Sequence, residues 1–178
     1  MWKSTREKRE RLFGKSRPTV RKFDPASDMW VLWAAYDLGS FKRLPAGMDR
    51  KSFEAYVMNA VARHSGCFVI DDDCRYFKSG RGPMCFVAML SNGWKVEPYA
   101  DFFMWAKARR RLRCVAAFLQ MIRYSKEIGV CVVTALADSV NLLNRMKRYG
   151  LLFLVGRIPD GSGSGDEFVY QLRCAKKV

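Results

Sequence analysis

The sequence predicts a mixed α/β fold of the α+β type, with one central sheet flanked by helices and a basic N-terminal arm. Two observations carry this prediction. Residues 94–158 read as strand, basic turn, long helix, strand, short helix and strand. The apolar run at 84–90 is followed by Asn92-Gly93, a strong signal for a hairpin turn. A chain of 178 residues with this order is long enough for one domain with a substantial core.

The first 23 residues are predicted to form the arm. Residues 1–22 hold nine Lys or Arg and two Glu, with few large apolar side chains. This stretch buries little surface by itself, so we expect it to be frayed unless it folds onto an anionic partner. The chain is therefore divided into an arm over 1–24 and a single domain over 25–178.

Two helices are predicted next. Asp28 is a candidate N-cap for a helix through residue 38, and Asp49 or Ser52 begins an amphipathic helix that Gly66 ends. His64 lies at the C-terminal end of the second helix, where a cation is favoured, and is interpreted as a structural residue.

Strands are predicted at 67–70 and 84–90. The three carboxylates at 71–73 are predicted to lie in a solvated turn between them. A metal site is disfavoured because no further acidic residues follow at ligand spacing.

The second half of the chain supplies the remaining elements. A strand is predicted at 94–106, a helix at 107–128, strands at 130–136 and 151–158, and a last strand at 167–173 after the flexible segment 159–165. Asp138 and Ser139 are candidate N-caps for a helix that ends at Gly150. Crossovers of this length imply parallel pairing, at least at the first one.

Composition limits the function classes. The 32 Lys and Arg against 17 Asp and Glu leave a net charge of +15, which favours polyanionic partners. The six cysteines form no C-x-x-C pair and His64 is the single histidine, so no zinc site is predicted. No apolar run approaches the roughly 20 residues that span a bilayer, and no secretory signal is recognised.

Five cations crowd the predicted start of the long helix. They are Lys107, Arg109, Arg110, Arg111 and Arg113. Cations are unfavourable at a helix N-terminus, so the cluster suits a bound anion. The alternatives left open are CoA pyrophosphate, nucleic-acid phosphate, acidic side chains of another subunit, or a solvated cluster screened by salt.

The aromatic residues allow two interpretations. Tyr99, Phe102, Phe103 and Trp105 resemble a base-stacking run, but Phe103 and Trp105 share one strand face, which favours a core role. Trp2, Trp30 and Trp33 are the better candidates for an interface.

The element order resembles the GNAT (Gcn5-related N-acetyltransferase) fold. The strongest local likeness is residues 139–156, in which Ser139 is followed eleven residues later by Gly150 and an apolar strand. The resemblance implies that a Q/R-x-x-G-x-G/A turn at the long helix cradles acyl-CoA. The best register here is Arg111, Leu112, Arg113, Cys114, Val115 and Ala116. The implied cofactor-binding residues are Arg111, Arg113, Cys114, Val115 and Ala116.

Two positions depart from the family pattern. Cys114 stands where the first Gly of the turn belongs, and Met146 stands where a Tyr commonly protonates the CoA thiolate. Tyr149 takes that role only if the register shifts, and Glu97 or Asp101 are candidate bases. We therefore predict a fold retained without catalytic residues and without a cofactor, with an acetyl-CoA-dependent N-acetyltransferase as the alternative.

The entry to the long helix, KARRRLR, is similar to that of GNAT-like internal virion proteins of short-tailed bacteriophages. This resemblance implies a structural or assembly protein, found in the host cytoplasm and then in the virion. Its expected partners are other virion proteins, and also DNA, bound through the 1–22 arm and the five cations at 107–113. A plain nucleic-acid-binding module remains a third possibility.

Overall fold

The computed structural model describes residues 5–14, 16–41, 44–91, 96–124, 132–136, 140–159 and 166–172. The elements in chain order are α1 (Thr5–Phe13), β1 (Thr19–Lys22), α2 (Pro25–Asp37), α3 (Arg50–Arg63), β2 (Gly66–Asp73), β3 (Arg81–Ser91), β4 (Val96–Phe102), α4 (Ala108–Tyr124), β5 (Val132–Leu136), α5 (Val140–Arg148), β6 (Leu152–Ile158) and β7 (Glu167–Leu172). The mixed α/β class is confirmed.

Two compact units share these elements. The four-stranded unit comprises residues 18–90 and 98–114, and its strands follow the order β1-β2-β3-β4. The three-stranded unit comprises residues 1–17, 91–97 and 115–178, with strand order β5-β7-β6. Helix α4 begins in the four-stranded unit and continues in the other. Within the described ranges, no helix is long and apolar enough to cross a membrane.

The four-stranded unit buries an aromatic core on one face of its sheet. Helices α2 and α3 pack there through Leu32 and Phe53, against Val69 of β2 and Phe86 of β3. Strand β3 is buried from Met84 to Met89 on both faces, as expected for a central strand. The register of β2 with β3 shifts between Ile70 and Asp71.

Residues 1–23 contain regular structure, in contrast to the frayed arm that the sequence predicts. Leu12 and Phe13 of α1 are buried. Strand β1 pairs antiparallel with β2, from Thr19 opposite Asp71 to Lys22 opposite Phe68. Pairing with β2 satisfies the backbone of β1, which the composition of the segment did not indicate.

Helix α2 begins earlier than predicted, and the carboxylate assigned as its cap belongs to an ion network. Its N-cap is Asp24, which accepts from the Ala26 N–H at 3.1 Å, so the assignment of Asp28 as N-cap is wrong. Asp28 is buried and accepts from both terminal nitrogens of Arg21 at 2.7 Å. The same guanidinium donates to Asp71 at 2.7 Å. Arg21 thereby joins β1 to α2 and β2, and its ion pairs with Asp28 and Asp71 raise its pKa.

The predicted turn at residues 71–73 is also wrong. Strand β2 continues through Asp73, and Asp72 is 0% exposed. A fully buried carboxylate requires a charged or hydrogen-bonding partner. The sequence prediction treated these carboxylates as solvated, because their partners lie far along the chain.

The predicted parallel pairing is wrong at both crossovers among the described residues. The first crossover, through α4, joins β4 of one sheet to β5 of the other, and the second joins β5 to β6, which are separated by β7. Strands β5 and β6 both pair antiparallel with β7, so the crossover through α5 places two parallel strands on either side of β7. Gly150, at φ 68°, follows α5 as predicted. Asn92-Gly93, Asp138, Ser139 and the segment 160–165 lie outside the described residues.

Candidate active site

The connection from β4 to α4 places exposed cations at a helix N-terminus. Helix α4 begins at Ala108, and the Lys107 carbonyl accepts from the N–H groups of Arg110 at 2.8 Å and Arg111 at 3.1 Å. Lys107, Ala108 and Arg109 are exposed. The first amides of a helix lack carbonyl partners inside that helix, so this turn offers N–H groups and two positive side chains to an anion.

Two further arginines of the basic cluster, Arg110 and Arg113, bind carboxylates of the same unit. Arg113 is 5% exposed and donates to Asp72 at 2.7 Å. Arg110 lies 3.3 Å from the other oxygen of Asp72 and 3.6 Å from Asp73. The Asp73 N–H also donates to Asp72 at 2.9 Å. This ion network ties the second turn of α4 to the end of β2.

Arg111 has contacts of a different kind. Its Nε donates to the Ala106 carbonyl at 2.8 Å, and its guanidinium carbon lies 5.7 Å from the centroid of the Phe102 ring. The predicted cluster of five is therefore two groups. Lys107 and Arg109 are exposed, whereas Arg110, Arg111 and Arg113 bind neighbouring protein atoms.

The residues predicted to hold the cofactor lie beyond the first turn of α4. Arg113, Cys114 and Ala116 are buried, and Arg111 and Val115 are half-buried. The amides of an interior helical turn bond to carbonyls of that helix. The N–H groups at the start of α4 that lack helical partners therefore lie at residues 107–109, a few residues before the predicted register, which stays a prediction.

Two buried thiols, Cys85 of β3 and Cys114 of α4, lie in the four-stranded unit. Burial, and then the carboxylate of Asp72, raises the pKa of Cys114. Burial also raises the pKa of Cys85, with smaller contributions from Cys114 and Asp101. Cys114 therefore occupies its position as a neutral, protonated core residue.

A cavity of about 240 Å³ lies beside β4 in the same unit. Asp101, one of the two predicted candidate bases, lines it, and among its described lining residues Asp101 is the one carboxylate. The aromatic rings and the imidazole that line it belong to Phe41, Tyr56, His64, Phe86 and Tyr99. The cavity thus presents one carboxylate to a largely apolar space.

His64 lies at the end of α3, as predicted, and it also lines the cavity. It is the C-cap residue of α3, and its Nδ1 lies 2.7 Å from the Ala60 carbonyl. This contact requires the proton on Nδ1 and leaves Nε2 as an acceptor when the ring is neutral. The imidazole also meets the Tyr99 ring edge-to-face at 5.9 Å. No pattern in the sequence connected His64 with Asp101.

The other predicted catalytic positions are Glu97, Met146 and Tyr149. Glu97 lies in β4, with its side chain outside the described part of the structure. Met146 is 0% exposed in α5, and Tyr149 is half-buried just after that helix. Among the described residues, no group of three or more His, Cys, Asp and Glu is placed to hold a metal ion.

Several known structures of acetyltransferases match this chain. Spermidine N-acetyltransferase from Vibrio cholerae, in complex with CoA and spermine, aligns with a TM-score of 0.63 at 9% identity, over 90% of this chain and 97% of that one. A GNAT-family acetyltransferase from Bacillus anthracis aligns at 0.61 and 15%, over 90% and 96%. A probable GNAT-family acetyltransferase from Chromobacterium violaceum aligns at 0.60 and 15%, over 90% and 84%.

The chain has the GNAT fold. No protein-family model and no curated protein sequence matches it, so the likeness is one of structure alone. The predicted GNAT resemblance is confirmed at this level. The structures named above are bacterial acetyltransferases and lend no support to the predicted virion role, which stays a prediction.

Proposed function

We propose that this protein transfers an acyl group from an acyl-CoA thioester to the amino group of a small, largely apolar amine. The observation that carries the proposal is the cavity that Asp101 and His64 line, in a chain with the GNAT fold. This proposal adopts the alternative drawn from the sequence, in place of a protein without catalytic residues.

The lining of the cavity supports an amine as the acceptor. Asp101 offers a carboxylate to an ammonium group, and the rings of Tyr56, Phe86 and Tyr99 suit both the cation and an attached apolar body. A polyamine carries several ammonium groups and suits several carboxylates. The single carboxylate among the described lining residues therefore favours a monoamine over the spermidine named for the Vibrio cholerae enzyme.

Asp101 and His64 also supply a route for the proton. An ammonium has no lone pair and must lose a proton before its nitrogen attacks an acyl carbon. The Asp101 carboxylate or the Nε2 of His64 accepts that proton, directly or through one water molecule. The apolar walls of the cavity limit competing hydrolysis by restricting access of water.

The first turn of α4 supports the binding of the acyl donor. Lys107 and Arg109, with the amides of the helix N-terminus, would hold the pyrophosphate, and the bound CoA would supply an activated thioester. Met146 is buried and has no proton to give, so the proposal assigns no residue as the acid for the leaving thiolate.

The test is acetyl transfer from acetyl-CoA to hexylamine, phenethylamine and spermidine, followed by release of free thiol. We expect the two monoamines to be the better acceptors. Asp101→Asn should lower kcat/KM by about 10²- to 10⁴-fold if Asp101 is the base. Asp37→Asn is the matched control, because Asp37 is an exposed carboxylate of α2 outside the cavity.

Calorimetric titrations of acetyl-CoA and of the monoamines show whether a protein without turnover still binds either ligand. Acetyl-CoA and monoamine binding without turnover would reject the enzyme and favour the fold retained without catalysis. Turnover that Asp101→Asn leaves unchanged would reject the assignment of this cavity as the acceptor site.

A further inference from the structure

The loop between β2 and β3 presents an exposed tyrosine on a second aromatic ring. Tyr76 lies parallel to Trp105, with ring centroids 4.5 Å apart and planes 7° apart. Phe77 is nearly perpendicular to both rings and flanks the stack, at 5.4 Å from Tyr76 and 5.9 Å from Trp105. Tyr76 is nevertheless 55% exposed. One face of its ring rests on Trp105, while more than half of the residue remains exposed to solvent.

The support beneath Tyr76 is held in place by hydrogen bonds and close packing. Trp105 Nε1 donates to the Pro83 carbonyl at 2.7 Å. The loop closes through the Cys74 N–H to the Gly80 carbonyl at 2.8 Å, and Gly80 has φ +72°. A Cβ at Gly82 would lie 2.3 Å from the Phe77 ring, so glycine is needed for the ring to occupy this place. Because Trp105, Phe77 and the loop are held in place, a ligand that stacks on Tyr76 loses little conformational entropy of the protein on binding.

The loop that carries Tyr76 is basic. Arg75 and Lys78 are exposed on either side of Tyr76 and Phe77 in the sequence, and residues 74–82 contain no Asp or Glu. Trp30 is 55% exposed, and its ring lies 6.4 Å from that of Phe77. An open aromatic face with adjacent cations suits a ligand that carries both flat rings and negative charge.

We infer that the Tyr76–Trp105 stack, with Arg75 and Lys78, is a binding site for single-stranded nucleic acid. An unpaired base stacks on the open face of Tyr76, and the neighbouring phosphates bind the two cations. Every base has a flat face, so this mode of binding tolerates many sequences. A duplex keeps its bases stacked on one another and offers this site its phosphates alone. The site does not depend on the proposed acyl transfer.

The test uses fluorescein-labelled dT12 and a labelled 12-base-pair duplex, with fluorescence anisotropy at 100 mM NaCl. We expect dT12 to bind more tightly than the duplex. Tyr76→Ala should weaken dT12 binding by about 5- to 150-fold, the usual loss for one stacked base, whereas Tyr76→Phe should retain it because the ring remains.

A salt titration tests the cations separately. Lys78→Ala should reduce the slope of log K against log[NaCl] by about 0.7, the value for one phosphate of a single strand. Lys51→Ala is the control, an exposed lysine on α3, and should leave the slope unchanged. The proposal is overturned if dT12 does not bind, if the duplex binds as tightly as dT12, or if Tyr76→Ala binds dT12 as well as the unaltered protein does.

Discussion

The cations at the start of α4 are close together in the sequence and have opposite environments. Lys107 and Arg109 are exposed at the helix start. Arg113, one turn later, is buried against Asp72, and Arg110 reaches the same carboxylate. A run of cations is therefore not one functional unit. Its exposed part offers charge to a ligand, whereas its buried part stabilises the fold.

The largest expected effect comes from breaking the buried pair. Arg113→Met should destabilise the protein by about 3–5 kcal/mol, because it removes the shorter of the two ion pairs of a buried carboxylate and leaves Asp72 with the longer contact to Arg110 and the Asp73 N–H. The matched change Arg109→Met, on an exposed residue of the same helix, should stay within about 0.5 kcal/mol. Urea denaturation at pH 7 measures both.

The double variant Asp72→Leu, Arg113→Met sharpens this comparison. It removes both charges and should recover much of the loss, because no unpaired charge remains in the core. Equal stabilities for Arg113→Met and Arg109→Met would show that the two turns are energetically alike, contrary to the structure.

A smaller effect is expected from the thiols beside the buried turn. Burial raises the pKa values of Cys85 and Cys114 above the ordinary value near 9. The unfolded chain loses these protons first, so it binds fewer protons than the folded protein above pH 9. This contribution to stability is fully present below the unfolded pKa and falls as pH rises towards the folded values. The slope is at most about 1.4 kcal/mol per thiol per pH unit.

Urea denaturation at pH 8.0 and 9.8 measures this loss at constant ionic strength. The double variant Cys85→Ala, Cys114→Ala is the control, and its stability should depend less on pH over this interval. An identical pH dependence in both proteins would mean that the two thiols titrate alike in the folded and unfolded states.

The smallest expected effect belongs to the exposed turn. Arg109→Ala should weaken acetyl-CoA binding by about 2- to 5-fold at low salt, because a solvent-exposed charge contributes about 0.5–1 kcal/mol. The difference should shrink at 300 mM NaCl as screening increases. Calorimetric titrations at two salt concentrations measure it, with Lys51→Ala as the control. A loss that persisted at high salt would place Arg109 in a shielded contact instead.

Periodicity and turn residues predicted most of the elements from the sequence. The amphipathic pattern predicted α3 and α4, the β-branched run predicted β5, and Gly150 was correctly placed at the end of α5. These signals work because each element's own residues show which face is buried. The order of these elements resembled the GNAT fold, and that prediction is confirmed. The role of Asp101 as a candidate base stays a prediction.

Several of the predictions that failed concern charged residues whose partners lie in a different helix or strand. Asp72 and Arg113 are 41 residues apart, and Arg21 and Asp71 are 50 residues apart. Local pattern assigned Asp72 to a solvated turn, Asp28 to an N-cap and the segment around Arg21 to a frayed arm. Each was plausible for a carboxylate or a cation without a partner.

By itself, the sequence determined the order of helices and strands after residue 24, the excess of positive charge and the apolar faces, because these depend on residues near one another in the chain. Only the tertiary structure decided which charges are buried, which cations remain exposed on α4, and that His64 and Asp101 line one cavity. The physical reason is that a buried charge is stable only beside its partner, and folding alone brings that partner within hydrogen-bonding distance.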